Sequence, residues 1–403
     1  MTTTLTRPAY RESPYVRYVV SQSVSVLGDQ VWYVALSWAA VQQSTPAVAG
    51  VIVSVSALPR LLLMLFGGPL VDRYGPRRLM IGSDLLRVVV SVAAAGVALW
   101  QPTIALLVVV ALVFGAVDAV FLPAAGSMQP RLLRTDQLSS GAALRELTQR
   151  AALTLGAPLG GILVAVGGLP LASCVNAVTF AVSALAIASV RPRTDAATGT
   201  PERYLIALRA GFGYLARHRV LRTSMAVGFI GNLGFVGPMN VGLALLSSDR
   251  GWGSAGIGYL LAGFGIGAAA SATLLLKVRI RDRIGLWIAL AAAGEAAGIT
   301  AMALAPNLAA AIAASALTGL SSGVFGVLGA SLNQALTEDR FRGRVGSVNA
   351  LASMGVTPLV MVVTGIAVSA YGLVPTFAGG GAIELLAAAI CLSVRDLRRA
   401  TLR

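Results

Sequence analysis

Eight ionisable side chains stand inside long apolar stretches of this sequence: Asp29, Arg60, Asp84, Arg87, Asp118, Arg150, Glu295 and Glu384. A charge at the centre of a bilayer costs roughly 2.5–3.5 kcal/mol on insertion scales. Each is therefore a candidate for carrying a proton, pairing between helices or meeting a charged solute. Asp29 lies about midway along the first stretch and Arg60 about midway along the second, which must run back the other way. Equal depth predicts an ion pair between them. Helical spacing puts Gln22, Ser25, Asp29, Trp32 and Tyr33 on one stripe, which predicts a water-facing wall of a substrate cavity. Asp29 is then expected to accept protons with an affinity set by the approach of Arg60, the alternative being a permanent lock between two helices. Asp118 and Arg150 suggest a second pair of the same kind in the fourth and fifth stretches, although Glu146 stands four residues before Arg150 on the same helix face.

The later half of the chain differs. Asn232, Asn240, Tyr259, Phe325 and Asn349 are neutral polar or aromatic residues within apolar stretches, and they are expected to line the substrate cavity while coupling resides in the first half. Glu295 and Glu384 are each expected to be either protonated and packed, or in contact with lipid or a partner.

The elements that must hold these side chains are set by composition. Of 403 residues, 56% are hydrophobic and only 12% charged, against about 25% charged in soluble domains. At roughly 20 apolar residues per crossing there is room for about a dozen transmembrane helices and no large soluble domain. Apolar runs between turn signals predict helices near 17–40, 47–71, 79–99, 103–125, 140–166 and 170–190. A second set is predicted near 222–246, 254–276, 285–304, 308–332, 344–370 and 374–394. The expected fold is therefore all-α, with twelve transmembrane helices in two pseudo-symmetric six-helix bundles, residues 1–190 and 222–403. Residues 191–221 form a linker between them. Within it, Leu205, Leu208, Phe212 and Leu215 recur at helical spacing, predicting an amphipathic helix on the cytoplasmic surface. Asp72-Arg73-Tyr74-Gly75 after the second helix returns 210 residues later as Asp282-Arg283-Ile284-Gly285 after the eighth, which argues for duplicated halves.

The formal charge of +15 would suggest nucleic acid in a soluble protein, but position excludes that reading. All of the 31 bases except Arg60, Arg87, Arg150 and Arg250 fall in alternate connections or at the termini. That one-sidedness is the positive-inside pattern. It places both termini in the cytoplasm and makes anionic lipid headgroups the partner of the excess charge. Cys174 and Cys391 both lie in apolar stretches and are expected to be inert thiols, without a disulfide. The first 15 residues lack the apolar run of a signal peptide, so the first span is expected to persist in the mature chain.

After the second helix the chain reads Gly68-Pro69-Leu70-Val71-Asp72-Arg73-Tyr74-Gly75-Pro76-Arg77-Arg78. This resembles the signature loop of the major facilitator superfamily, in which a glycine precedes Asp-Arg by four residues and a further glycine and basic pair follow. Pro76 stands where a basic residue is usual. The resemblance implies that Gly68, Asp72, Arg73, Gly75, Arg77 and Arg78 form a latch on the cytoplasmic side, which Asp84 and Arg87 extend. Leu27-Gly28-Asp29, Leu58-Pro59-Arg60, Ser83-Asp84-Leu85-Leu86-Arg87 and Phe341-Arg342-Gly343-Arg344-Val345 are similar to the exporter branch that includes enterobactin and macrolide efflux proteins. Gly156-Ala157-Pro158-Leu159-Gly160-Gly161 resembles the antiporter signature Gly-Pro-x-x-Gly-Gly with its proline displaced by one position. Ala111 falls where many proton-coupled members carry an arginine, and Arg150 is a candidate to replace it.

These readings converge on a monomeric multi-pass transporter of the bacterial inner membrane. It is expected to export a hydrophobic small molecule (drug, antibiotic or siderophore-like) in exchange for protons, by alternating access. Uptake or facilitated transport of a small metabolite is the rival, and a non-transporting receptor or structural protein a remote one. No cofactor or metal is expected. His218, the single histidine, lies in the linker, and neither a nucleotide-binding loop nor a Cys/His cluster is present, so an intramembrane enzyme is not expected.

Overall fold

The computed structural model describes residues 9–100, 103–192, 204–278, 280–338 and 341–401, and every regular element among them is helical. In chain order the α-helices are α1 (Ser13–Gln43), α2 (Pro46–Ser54), α3 (Ala57–Tyr74), α4 (Pro76–Trp100), α5 (Ile104–Leu132), α6 (Leu138–Ala188), α7 (Tyr204–Arg217) and α8 (Arg219–Gly237). They continue with α9 (Leu243–Asp249), α10 (Gly253–Lys277), α11 (Ile284–Leu304), α12 (Leu308–Leu336), α13 (Arg342–Tyr371), α14 (Leu373–Ser393) and α15 (Arg395–Arg398). Among the described residues, eleven helical stretches are long and apolar enough to cross a membrane. One of them, Ser140–Ala188, contains Gly168 at φ 63°, a left-handed turn that separates two spans and brings the total to twelve.

Spans two and seven are each interrupted. The second breaks between Ser54 and Ala57, and the seventh passes through a π-turn at Pro238–Gly242. Proline supplies no N–H to the helical ladder, which is a local reason for the shift in bonding there. Spans four and ten start on one device: Thr103 Oγ1 accepts the Leu106 N–H at 3.2 Å and Asn307 Oδ1 accepts the Ala310 N–H at 2.9 Å. Such caps satisfy backbone donors that the helix itself leaves open.

The repeated Asp-Arg-x-Gly motif serves two different turns. Gly75 takes φ 78° and ends α3, whereas in the second copy Arg283 takes the left-handed conformation at φ 53°. Gly285 is needed for space instead, since a Cβ there would stand 2.8 Å from the Arg398 Cα.

By internal contacts the chain divides into two compact units, Met1–Gln43 with Val55–Thr200, and Ser44–Ser54 with Pro201–Arg403. The break in the second span thus falls where the chain passes from one unit to the other. In the first unit Gly156 and Gly160 of α6 lie against α1, where added Cβ atoms would stand 2.8 Å from the Gln30 Cβ and 2.9 Å from the Val31 Cα. This is the close small-residue packing that membrane helices use in place of a hydrophobic driving force. In the second unit Tyr214 and Leu215 of α7 are buried with Leu221, Val345 and Val348. Of the four residues expected to form the apolar face of this helix, Leu215 is buried against protein and Phe212 is 54% exposed, while the side chains of Leu205 and Leu208 lie outside the described residues. Arg203 and the polar run before it lie outside the described residues.

Candidate functional site

The buried charges of the first unit converge on Asp118. Its two carboxylate oxygens pair separately, Oδ1 with Arg87 Nη2 from α4 and Oδ2 with Arg60 Nη2 from α3. Asp84 lies one turn before Arg87, with Oδ1 3.6 Å from Arg87 Nη1, while its Oδ2 accepts the Ser183 hydroxyl at 2.7 Å. The Arg87 guanidinium also sits over two aromatic faces, 4.7 Å from the Phe121 ring centre and 5.0 Å from that of Phe180. Cation–π contacts of this kind add to an ion pair when the cation is desolvated.

Exposure is graded across the cluster. The side chain of Arg87 is 1% exposed, Asp118 17% and Arg60 33%, so Arg87 is the fixed partner and Arg60 the accessible one. Asp29 of α1 is within electrostatic reach of Arg87, Asp118, Asp84 and Arg60. Three carboxyls therefore face two guanidiniums. With all five ionised the cluster carries a net charge of −1, and a single proton brings it to neutrality.

Two expected pairs are corrected. Arg60 meets Asp118 instead of Asp29: equal depth aligns residues along the membrane normal but does not say which face of a neighbouring helix is presented. Arg150 pairs with Glu146 at 2.8 Å along its own helix, with both side chains more than half exposed, and takes no part in the cluster. Beside Asp118 the buried guanidinium comes from Arg87, one span earlier. Asp84 and Arg87, expected at the cytoplasmic latch, belong to this buried cluster. The sequence held a signal for them in their i, i+3 spacing within an apolar helix.

The stripe on α1 is also corrected. Gln22, Ser25 and Trp32 are buried in the first unit, and the Trp32 ring packs 5.4 Å from Phe114, which in turn meets Phe180 edge-on at 5.8 Å. Trp32, Phe114 and Phe180 form an aromatic column leading to Arg87, and Gln22 and Ser25 are buried where the stripe was expected to face water. Asp29 and Tyr33, on the same stripe, are partly exposed.

At the expected latch, Arg77 donates from Nε to the Ile187 carbonyl at 3.4 Å and from Nη2 to the Ala188 carbonyl, holding the C-terminus of α6. Arg73 stacks on the Tyr74 ring at 5.3 Å, and Arg78 is exposed. The surroundings of Gly68 and the side chain of Asp72 are not among those described. Pro158 and Gly161 sit within α6 on the same run as Gly156 and Gly160.

In the second unit Asn232, Phe325 and Asn349 line a cavity of about 320 Å³, with Glu295 in the same wall. Asn232 donates to the Ser353 carbonyl at 3.2 Å. Asn240 sits in the π-turn and donates to the Val236 carbonyl at 2.7 Å, while Tyr259 is 44% exposed, and neither lines that cavity.

Residues 18–306 match the family model described as the Major Facilitator Superfamily. Among curated proteins, the multidrug efflux pump Tap of Mycobacterium bovis is 26% identical over 399 residues, covering 94% of this chain and 92% of Tap. The enterobactin exporter EntS of Shigella boydii is 26% identical over 351 residues, covering 85% of this chain and 81% of EntS. Among solved structures, a bacterial homologue of the iron transporter ferroportin, in its inward-facing state, superposes with a TM-score of 0.71. It is 15% identical and covers 94% of this chain and 98% of its own.

Proposed function

The chain belongs to the Major Facilitator Superfamily, and from that membership together with the Asp118 cluster we propose that it exports a hydrophobic small molecule across the bacterial inner membrane in exchange for protons. The observation that carries this reading is one carboxylate held between two arginines from different helices, in a cluster whose acids outnumber its bases by one. The acid in excess, which no guanidinium neutralises, is the one that takes up a proton, and its protonation changes how the cluster shares its two arginines. The direction of transport rests on the exporter relatives, Tap and EntS, each aligned along most of this chain.

In this account a proton entering from outside neutralises one carboxyl of the cluster and weakens its hold on the two guanidiniums. Arg87 stays, retained by Asp84 and the faces of Phe121 and Phe180. Arg60, a third exposed and ion-paired with Asp118 alone among the described residues, lets go and frees α3 from α5. Deprotonation toward the cytoplasm restores the pair as substrate binds from the inner side. A membrane potential contributes about 2.3 kcal/mol per charge per 100 mV to this cycle. The basic connections and both termini face the cytoplasm, residues 191–221 link two six-helix halves, and the protein works as a monomer.

Everted membrane vesicles test the proposal with ethidium as the probe. Acidifying the lumen drives ethidium into vesicles containing the protein, and Asp118→Asn abolishes the response. Accumulation that ignores the proton gradient, or movement in the reverse direction, contradicts it.

A further inference from the structure

Glu295 on α11 and Glu384 on α14 are buried acids that the Asp118 cluster does not use, 3% and 0% exposed. They adjoin one another, and Ser322 lies beside Glu295. Neither has a basic partner among the described residues, and the Glu384 oxygens have no hydrogen-bonding partner there other than Glu295. The pair backs onto the cavity of about 320 Å³ in the second unit, whose wall includes Glu295, Ser322, Gly231, Asn232, Phe235 and Phe325. Gly231 is the thin point of that wall. A Cβ there would stand 3.1 Å from Glu384 Oε2 and 3.5 Å from the Phe325 ring, so Glu384 packs directly behind the lining residue Gly231.

Two adjoining carboxyls do not both ionise, because like charge and burial act against the second. An ionised one without a counter-charge is costly to keep out of water. The described walls supply no cation: α8, α12 and α13 present neutral side chains, and the other titratable group lining the space is the Cys391 thiol of α14. What the cavity does offer is carboxylate, amide and two phenyl faces, the surroundings that recognise an organic ammonium or phosphonium group. Resting on the export reading, we propose that this cavity binds an organic cation whose charged centre sits against Glu295, with Glu384 as its positioning partner. Empty, the pair shares one proton. When the cation enters, one carboxyl O–H bond breaks, the proton leaves to solvent, and the resulting carboxylate pairs with the ligand.

The test is equilibrium binding to the purified full-length protein, with tetraphenylphosphonium as the cationic probe and triphenylphosphine oxide as its neutral counterpart. Glu295→Gln, checked for folding by gel filtration, weakens tetraphenylphosphonium binding by at least about tenfold, as expected for loss of one partner of a desolvated charge pair, and leaves the neutral probe within about twofold. The wild-type protein needs no variant for the second readout. It binds the cation more tightly as pH rises and releases a proton to a pH indicator as it does so. A wild type that fails to bind tetraphenylphosphonium, a Glu295→Gln protein that binds it equally well, or binding without proton release overturns the proposal. The readout requires no transport. Glu295-dependent binding in a protein without proton-driven efflux would sink the export reading and leave this site standing, and the converse pattern would do the reverse.

Discussion

Replacing members of the Asp118 cluster should cost stability in an order fixed by burial. At an effective dielectric constant near 20, Arg87 and Asp84 at 3.6 Å attract by roughly 4–5 kcal/mol before desolvation is subtracted. The closer Arg87–Asp118 contact contributes at least as much in gross terms. Removing one partner of a buried pair typically costs about 3–5 kcal/mol, because the other charge is left behind. Asp118→Asn strips Arg87 of one of its two adjacent carboxylates while Asp84 remains, so a loss of about 3 kcal/mol is expected, at the low end of that range. Arg60 is a third exposed, and its share of the cluster is screened. Arg60→Gln leaves Asp118 still bound to Arg87, and should cost about 1 kcal/mol or less. Arg87→Gln leaves Asp84, Asp118 and Asp29 facing one another and should be the most damaging of the three. The assay is denaturant unfolding of the full-length protein in micelles, followed by helical signal. Equal losses for Arg60→Gln and Arg87→Gln, or an Asp118→Asn protein within about 0.5 kcal/mol of wild type, would refute the assignment of Arg87 as the buried anchor.

Other consequences follow from the packing. Gly160→Ala would press a methyl to within 2.9 Å of the Val31 Cα and should destabilise the first unit by about 1–3 kcal/mol, whereas Gly82→Ala, with nothing within 4 Å, should be neutral or stabilising. Thermal melts of the two variants side by side check this. Arg150→Gln should change stability and ethidium transport negligibly, because an exposed i, i+4 pair with Glu146 is worth about 0.5 kcal/mol or less. Arg77→Gln removes two bonds to the last carbonyls of α6 and should cost about 1 kcal/mol, seen as earlier hydrogen exchange at residues 185–188.

Much of this architecture is legible in the amino-acid order. Apolar runs between turn residues locate the spans, and Gly168 marks the turn between the fifth and sixth. The breaks within spans two and seven are less visible. Around Val55–Ser56 the local signal is Pro59, which has no N–H for the Val55 carbonyl four residues earlier, so Leu58 N–H takes that carbonyl at 3.3 Å, and the interruption coincides with the passage of the chain from one unit to the other. The eight intramembrane charges are equally plain in the sequence, but their partners are not. Asp29 with Arg60 and Asp118 with Arg150 share depth, yet pairing depends on helix rotation, which no periodicity along a single helix fixes. The aromatic setting of Arg87 explains how a base can be 1% exposed in an apolar unit. Phe121 and Phe180 are far apart in sequence and become its walls only on folding. Glu295 is one of those eight charges, but the cavity beside it is assembled from other helices and a periodicity along one helix does not show it.

The central claim is that the cluster around Asp118 holds an exchangeable proton, and infrared difference spectroscopy of the full-length protein in lipid, recorded as pH is stepped, measures that most directly. The account predicts a protonated-carboxyl band in the wild type that appears and disappears with pH. Substituting Asp118 by asparagine should abolish or displace it, and the band should persist when Glu295 and Glu384 are replaced by glutamine. A pH-dependent band that is unchanged in Asp118→Asn, Asp29→Asn and Asp84→Asn alike would contradict it.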